Sequence, residues 1–363
     1  MRRTMLTIVV ALLTLPMAAQ KQATVYFTRN ITPEALVDIY KVLGVEPTGR
    51  VALKISTGES ERSNQLRPDF IEPLVKETDA TIVECNTAYG GNRSTTEAHL
   101  RVIAERGYDK IAAVDIMDAE DTIHIPTQDQ KHIAYDIVGS HLKNYDFMIN
   151  LAHFKWHAMG GFGGVLKNAS IGVAARSGKC YIHTAGRSST SMWGGEQDPF
   201  LESMAAAAQA VHNYFGGKVL YIDVMNNLSV DCDCDGNPAR PQMKDIGMLA
   251  STDPIALDKA CLDIVMGHDN TTGDTSVPLQ ERINSRHGTW IVEYGEQIGL
   301  GTQTYKLIDL DSASGINNVT KEKYAQLYNV YGIDGKLVRS LATSLVGLNA
   351  GIYIINGKKT FVK

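Results

Sequence analysis

The chain has 363 residues, of which 44% are hydrophobic and 21% charged, and a formal net charge of −5. That composition belongs to a globular protein with ample apolar area for a core, organised as one large domain plus a short appendage. A net-negative chain without a clustered Lys/Arg run lacks the electrostatic footprint of nucleic-acid binding and gives no support to a membrane-surface helix.

Residues 1–20 read differently from the rest. Arg2 and Arg3 precede an apolar run from Met5 to Leu15, and Pro16-Met17-Ala18-Ala19-Gln20 offers small residues for cleavage. This is the layout of a secretory signal peptide, too short for a membrane span, with an apolar N-terminal core strand as the plainer alternative. No cysteine follows the run, so a lipid anchor is not expected. No later segment approaches the roughly 18 apolar residues of a spanning helix, so no membrane span is expected after signal removal. The protein is expected to be exported: to the periplasm, to the cell surface or out of the cell.

From Ala23 to about Ser312, strand-like and helix-like segments alternate. Val25–Thr28 reads as a strand, and Pro33–Leu43 as a helix capped by Thr32 with Pro33 at its first position. Val51–Ile55 is a buried strand, Pro68–Thr78 a helix, Ala80–Glu84 a strand, and Thr95–Arg106 a helix ended by Gly107. Strands follow at Ile111–Ile116, Phe147–Leu151 and Lys218–Val224. Near-continuous apolar strands separated by helices predict an α/β fold, a mostly parallel sheet covered by helices on both faces. Ser251-Thr252-Asp253-Pro254 opens an apolar-periodic helix to Met266. Asp253 reads as its N-cap, with a site role as the alternative.

The last stretch, residues 318–363, breaks the pattern. Strands are expected at Leu327–Tyr331, Leu337–Leu341, Gly351–Ile355 and Lys358–Val362, with turns at Asp334-Gly335 and Asn356-Gly357. This small all-β module, from Tyr328 to Lys363, resembles the C-terminal sorting domain of type IX secretion in Gram-negative bacteria. It carries the Gly351-Ile352-Tyr353-Ile354 core and the closing Lys363 of that pattern. The resemblance implies the secretion machinery as a partner; an integral last β layer is the alternative.

Four unusual segments each follow a predicted strand: Ser56–Glu59, Asn86–Arg93, His153–His157 and Asp231–Gly236. If those strands are parallel, the four gather on one rim, where open α/β sheets bind ligands. His153 and His157 flank Lys155, are expected on a loop, and are candidates for metal ligation, acid–base work or substrate positioning. Gly160-Gly161-Phe162-Gly163-Gly164 leads into a helix expected over Val165–Val173. It fits neither nucleotide-binding glycine spacing, and reads as a cradle for a carboxylate or phosphate helped by Lys167, or as a flexible turn.

Five cysteines, Cys85, Cys180, Cys232, Cys234 and Cys261, form no disulfide framework. Cys232 and Cys234 are too close in sequence for an ordinary bridge, so thiolates ready for zinc, iron or nickel are expected, completed by His153 or His157. Asp231, Asp233, Asp235 and Gly236 also form the first half of a calcium loop, but its twelfth position is Gln242 instead of glutamate. An exposed acidic turn is the third alternative.

The strings VALKISTGE, RPDF, NTAYGGNRSTTEAHL, NLAHFKWHAMGGFGGVLKN, DCDCDG and DIGMLASTDPIALDKACLDIV resemble domain of unknown function 362, whose members are also labelled uncharacterised iron–sulfur centre proteins. The similarity spans roughly Val51 to Val265. Many members insert a ferredoxin-like, cysteine-rich segment between the stretches matching His183 and Trp193. Only the cysteine-free Thr184–Met192 stands there in this chain, so no ferredoxin-type cluster segment is carried over.

The expectation is an exported metal-dependent enzyme acting on a small anionic substrate. His153, His157, Cys232 and Cys234 would hold one metal ion. His153, His157 and Lys155 would carry the chemistry, while Arg93, Lys167, Gly161 and Gly163 bind the substrate. The alternatives are a non-catalytic binder of a small anion or metal complex, and a thiol redox protein using Cys232 and Cys234.

Overall fold

The computed structural model describes residues 22–270, 274–312, 328–333, 335–342, 348–355 and 358–362. The expected signal peptide and the Asn356-Gly357 turn lie outside the described residues. In chain order the elements are β1 (Ala23–Thr28), α1 (Pro33–Lys41), β2 (Val51–Lys54), α2 (Pro68–Thr78), β3 (Thr81–Glu84), α3 (Thr96–Arg106) and β4 (Val114–Ile116). Then come β5 (Thr122–Pro126), β6 (Tyr135–Gly139), β7 (Phe147–His153), β8 (Lys155–His157), β9 (Gly161–Gly163), α4 (Val165–Ala169), α5 (Arg176–His183) and α6 (Gln197–Tyr214). The domain closes with β10 (Val219–Met225), β11 (Gly247–Ser251), α7 (Pro254–Met266), α8 (Val277–Ser285), α9 (Trp290–Gln297) and β12 (Tyr305–Asp309).

Eight strands form one sheet in the order β12-β1-β11-β10-β7-β2-β3-β4. Its neighbours run parallel except where β11 pairs with β1 and β10. The mostly parallel sheet with helices around it is therefore as the sequence predicts. Alternate residues of each central strand feed opposite faces: Ala52, Met148 and Tyr221 enter one core, Leu53, Ile149 and Ile222 the other. That is why these strands read as continuous apolar runs instead of alternating ones.

Local chemistry accounts for the element ends. The Thr32 hydroxyl accepts from Ala35 N–H, the Thr95 hydroxyl from Ala98 N–H, and Asp253 from Ala256 N–H. A second Asp253 oxygen accepts from Thr302 N–H, so this carboxylate is occupied by capping. Gly107 ends α3 at a φ of +81°, a conformation glycine adopts at no steric cost.

Two expectations are corrected. The segment expected as a loop at His153–His157 is the end of β7 followed by β8, which pairs with β9 in a short hairpin. The helix expected over Val165–Val173 is the single turn-and-a-half α4, ending at Ala169.

The C-terminal strands β13 (Tyr328–Gly332), β14 (Leu337–Ala342), β15 (Gly351–Ile355) and β16 (Lys358–Val362) form a separate antiparallel sheet, ordered β14-β13-β15-β16. Gly335 takes a φ of +79° at the expected turn. The Tyr331 hydroxyl reaches the Asp263 carboxylate of α7 at 3.4 Å. Among the described residues no helix is long and apolar enough to cross a membrane.

Candidate functional site

The parallel strands β2, β3, β7 and β10 end on the same edge of the sheet, and a cavity of about 490 Å³ opens there. All four unusual segments reach it, through Ser56, Tyr89 and Arg93, His153 to His157, and Cys232 to Cys234. The rim inferred from sequence thus forms as expected. Six cationic side chains line the cavity, Lys54, Arg93, Lys155, Lys167, Lys179 and Arg286, against two carboxylates, Glu84 and Asp233. Six against two leaves a formal excess of four positive charges.

The floor is a buried ionic network. Lys54 Nζ donates to Glu84 at 2.8 Å, to Ile55 O at 2.5 Å and to Asn168 Oδ1 at 3.1 Å. Glu84 also accepts from Thr57 N–H at 2.8 Å and from Arg93 at 3.3 Å. Burial pushes the Glu84 carboxyl up, but Lys54 and Arg93 outweigh it and hold it at about 2. Burial drives the neighbouring His99 down to about 3, so it is neutral beneath the network. These floor residues escaped the sequence reading. The available signal was a charged residue at the end of an otherwise apolar strand, Lys54 in VALK and Glu84 in TIVE, because such groups are buried only when paired.

Arg93 corrects an expectation. Instead of offering a free fork to an anion, it is spent on Glu59 at 3.2 Å, on Glu84 and on the Tyr89 hydroxyl at 3.0 Å. It stiffens the wall of the cavity. The glycine run is a second correction. Glycine residues free the hairpin, but the N–H groups opening α4 are already taken: Val165 and Leu166 donate to the two oxygens of Asp258 at 2.9 and 3.0 Å. Those two donors are therefore not open to an anion. Gly161 sits at a φ of +82° with Gly288 packed against it, and a Cβ at Gly163 would lie 2.9 Å from Lys167 Cδ. Gly163 therefore makes room for the Lys167 stem.

The histidines take opposite parts. His153 Nδ1 faces the Asp233 carboxylate at 3.0 Å and its Nε2 faces Asn226 O at 2.9 Å. Both ring nitrogens are thus engaged within the protein, and neither faces open space for a metal. His157 Nδ1 accepts from Gly160 N–H at 2.9 Å, which places the proton of the neutral ring on Nε2. Burial, then the charge of Lys167, drives His157 well below its usual value. Lys155 donates to the carbonyls of Asn226 and Asn227, and burial lowers its ammonium to about 8. Lys167 is likewise lowered to about 8 by burial, with Asp233 opposing and Lys54, Arg93 and Lys179 adding to it.

Cys232 and Cys234 are joined to each other by a disulfide. This overturns the expectation of free thiolates: the single intervening residue, Asp233, leaves the two Cα atoms 5.2 Å apart, a separation a disulfide spans. Asp233 itself points inward to His153, and burial raises its carboxyl less than His153 and Lys155 lower it. The loop is clamped from below by Glu59 N–H to Asp233 O at 2.9 Å and the Ser63 hydroxyl to Asp235 O at 2.7 Å. The Asp231 carboxylate caps Ala239 N–H, and Asp233 faces His153, so the calcium-loop alternative does not assemble. A possible ligand atom from each of His157, Cys232 and Cys234 lies within 4.8 Å of the others; His153 stands outside this group.

Against this geometry stand the relatives. The family model for a domain of unknown function (DUF362) matches residues 51–263. The chain belongs to this family. The matched DUF362 region contains β2, β3, β7, β10 and most of α7, hence every lining residue of the cavity but Arg286. No curated protein matches the chain. The lactate racemase apoprotein of Thermoanaerobacterium thermosaccharolyticum is 12% identical, with 80% of this chain and 83% of that one covered at a TM-score of 0.39. A protein from Thermotoga maritima is 11% identical over 61% of this chain and 55% of that one, at a TM-score of 0.38. These likenesses are too distant to carry a functional argument.

The iron–sulfur label attached to DUF362 does not fit these residues. Such a cluster is most often held by four thiolates. Here Cys232 and Cys234 are bonded to each other, Cys85, Cys180 and Cys261 are buried, and no four-cysteine group occurs among the described residues.

Proposed function

We propose that this DUF362 protein is exported and that its cavity binds, and acts upon, a small anionic substrate. One observation carries the reading: six cations against two carboxylates line a cavity of about 490 Å³, the size of a small-molecule site. Of the cations, Lys54 and Arg93 are neutralised in place by carboxylates, which leaves Lys155, Lys167, Lys179 and Arg286 to balance the anion. Crowding like charges in a desolvated site is unfavourable unless a ligand of opposite sign fills it. Asp233 and His153 hold the rim in register, and His157 Nε2–H is a donor within the same wall.

The test is a thermal-shift panel of formate, lactate, malonate, phosphate and sulfate on the purified chain, followed by proton NMR of the best binder for turnover. Stabilisation by one or more anions and not by neutral isosteres supports the reading. Equal response to neutral compounds, or none to any anion, sinks it.

A second reading, one zinc, iron or nickel ion on His157, Cys232 and Cys234, is favoured by the proximity of those three donors. It needs the disulfide reduced to thiolates and the His157 tautomer reversed, since a ligating imidazole donates through its other nitrogen. Metal content after anaerobic reduction, lost in a Cys232→Ser, Cys234→Ser variant, is its test. Export rests on Arg2-Arg3, the apolar run to Leu15 and the sorting-like C-terminal strands, and is tested by cell fractionation with and without residues 1–20.

A further inference from the structure

Four lysines line the cavity, and three of them are satisfied. Lys54 donates to Glu84, Ile55 O and Asn168, Lys155 to two carbonyls, and Lys179 to Ala174 O at 2.5 Å. Among the described residues the Lys167 ammonium has no hydrogen bond or ion pair, although it stands in the same wall. Its position is built. The first N–H groups of its helix are fixed by Asp258, and Gly163 supplies the space its stem occupies, a Cβ there lying 2.9 Å from Cδ and 3.8 Å from Nζ.

The flanking imidazoles are set in complementary forms. His157 accepts through Nδ1 and so presents Nε2–H. His183 Nδ1 faces Lys179 O at 2.6 Å, so it donates there and leaves the Nε2 lone pair as an acceptor. Burial pushes His183 down to about 4, which keeps that lone pair available. Both rings line the cavity and both feel the charge of Lys167.

We propose that Lys167 is a covalent nucleophile, and that the anion the cavity takes carries an aldehyde or ketone carbonyl beside its carboxylate or phosphate. The proposal rests on the anion-site reading and narrows its substrate class. The lone pair of neutral Lys167 Nζ attacks the carbonyl carbon, forming the C–N bond while the C=O π pair moves to oxygen. His157 Nε2–H donates a hydrogen bond to that oxygen. His183 Nε2 relays a proton from the nitrogen to the oxygen, which leaves as water with both amine hydrogens, and an imine remains. No oxidant or reductant is consumed.

The test treats the full chain with pyruvate or glyoxylate and cyanoborohydride, which reduces an imine to a stable secondary amine. Intact mass and peptide mapping then locate the adduct, and calorimetry measures probe binding separately. Near neutral pH an amine with a pKa of about 8 has roughly three-hundredfold more free base than one at the ordinary 10.5, so labelling at Lys167 exceeds that at exposed Lys76 by more than a hundredfold. Lys155, equally lowered but held by two carbonyls, stays unlabelled. Lys167→Arg keeps the charge and the fold, read by melting temperature, and loses the adduct. Absence of an adduct at Lys167, or equal labelling at Lys155, overturns the proposal whether or not the probes bind. Binding without an adduct leaves the anion site standing; no binding of either probe or of any anion of the panel removes both.

Discussion

Glu84→Gln removes the one carboxylate that Lys54 and Arg93 share beneath the cavity. The carboxyl is buried and held at about 2 instead of its ordinary 4.5, and that gap corresponds to about 3 kcal/mol of stability. Leaving Lys54 without its carboxylate partner has a cost of the same order, about 3–5 kcal/mol for a broken buried pair. Because the folded-state value is depressed, this stabilisation is present above pH 4.5 and is lost as pH falls toward 2. Chemical denaturation of the wild type and the variant at neutral pH is expected to differ by about 3 kcal/mol, a melting-temperature drop of roughly 5–10 °C for a domain of this size. The difference shrinks through the acid range. A change below about 1 kcal/mol at neutral pH, or one that does not shrink toward pH 2, refutes the assignment of Glu84 as the anchor of the network.

Asp136 lies fully buried on β6 with neither oxygen well hydrogen-bonded, and burial raises it to about 7. An acid raised in the folded state stabilises below its ordinary value of 3.8 and loses that benefit as pH rises through 7, so Asp136→Asn raises the melting temperature near pH 8 and not near pH 4. Anion affinity, measured calorimetrically, falls as pH rises through about 8, because Lys155 and Lys167 lose their protons there. Gly161→Ala, at a φ of +82° and against Gly288, lowers stability by about 1–3 kcal/mol, whereas Gly163→Ala meets only the movable Lys167 stem, spares the fold and weakens anion binding. Deleting residues 318–363 leaves the melting transition of the α/β domain within a few degrees if those strands are a sorting module; loss of the transition identifies them as an integral layer.

The sheet was legible because buried parallel strands advertise themselves as apolar runs, and Thr32-Pro33, Gly107 and Asp253-Pro254 mark helix ends by local hydrogen bonding alone. The Ala-rich α6 gave no such signal, since from Phe200 to Val211 it is buried on every side and shows no amphipathic stripe. The β8–β9 hairpin, three residues a side, is too short for a period to register. At the site, the gathering of loops followed from strand direction, but who pairs with whom did not. Asp258 caps α4 from 93 residues away, Glu59 and Glu84 consume Arg93, and Cys232 bonds to Cys234. These are tertiary pairings between charges distant in sequence, and residue type at one position does not encode its partner.

The central claim is that an excess of cations in the cavity receives a small anion, with Lys167 the lining lysine whose ammonium no described residue pairs. Titration of the wild type and Lys167→Gln with the best-binding anion, by calorimetry near neutral pH, tests this most directly. The account predicts an affinity loss of roughly tenfold or more, about 1.4 kcal/mol, with the melting temperature of the free protein unchanged or raised. Equal affinity in the two proteins would contradict it.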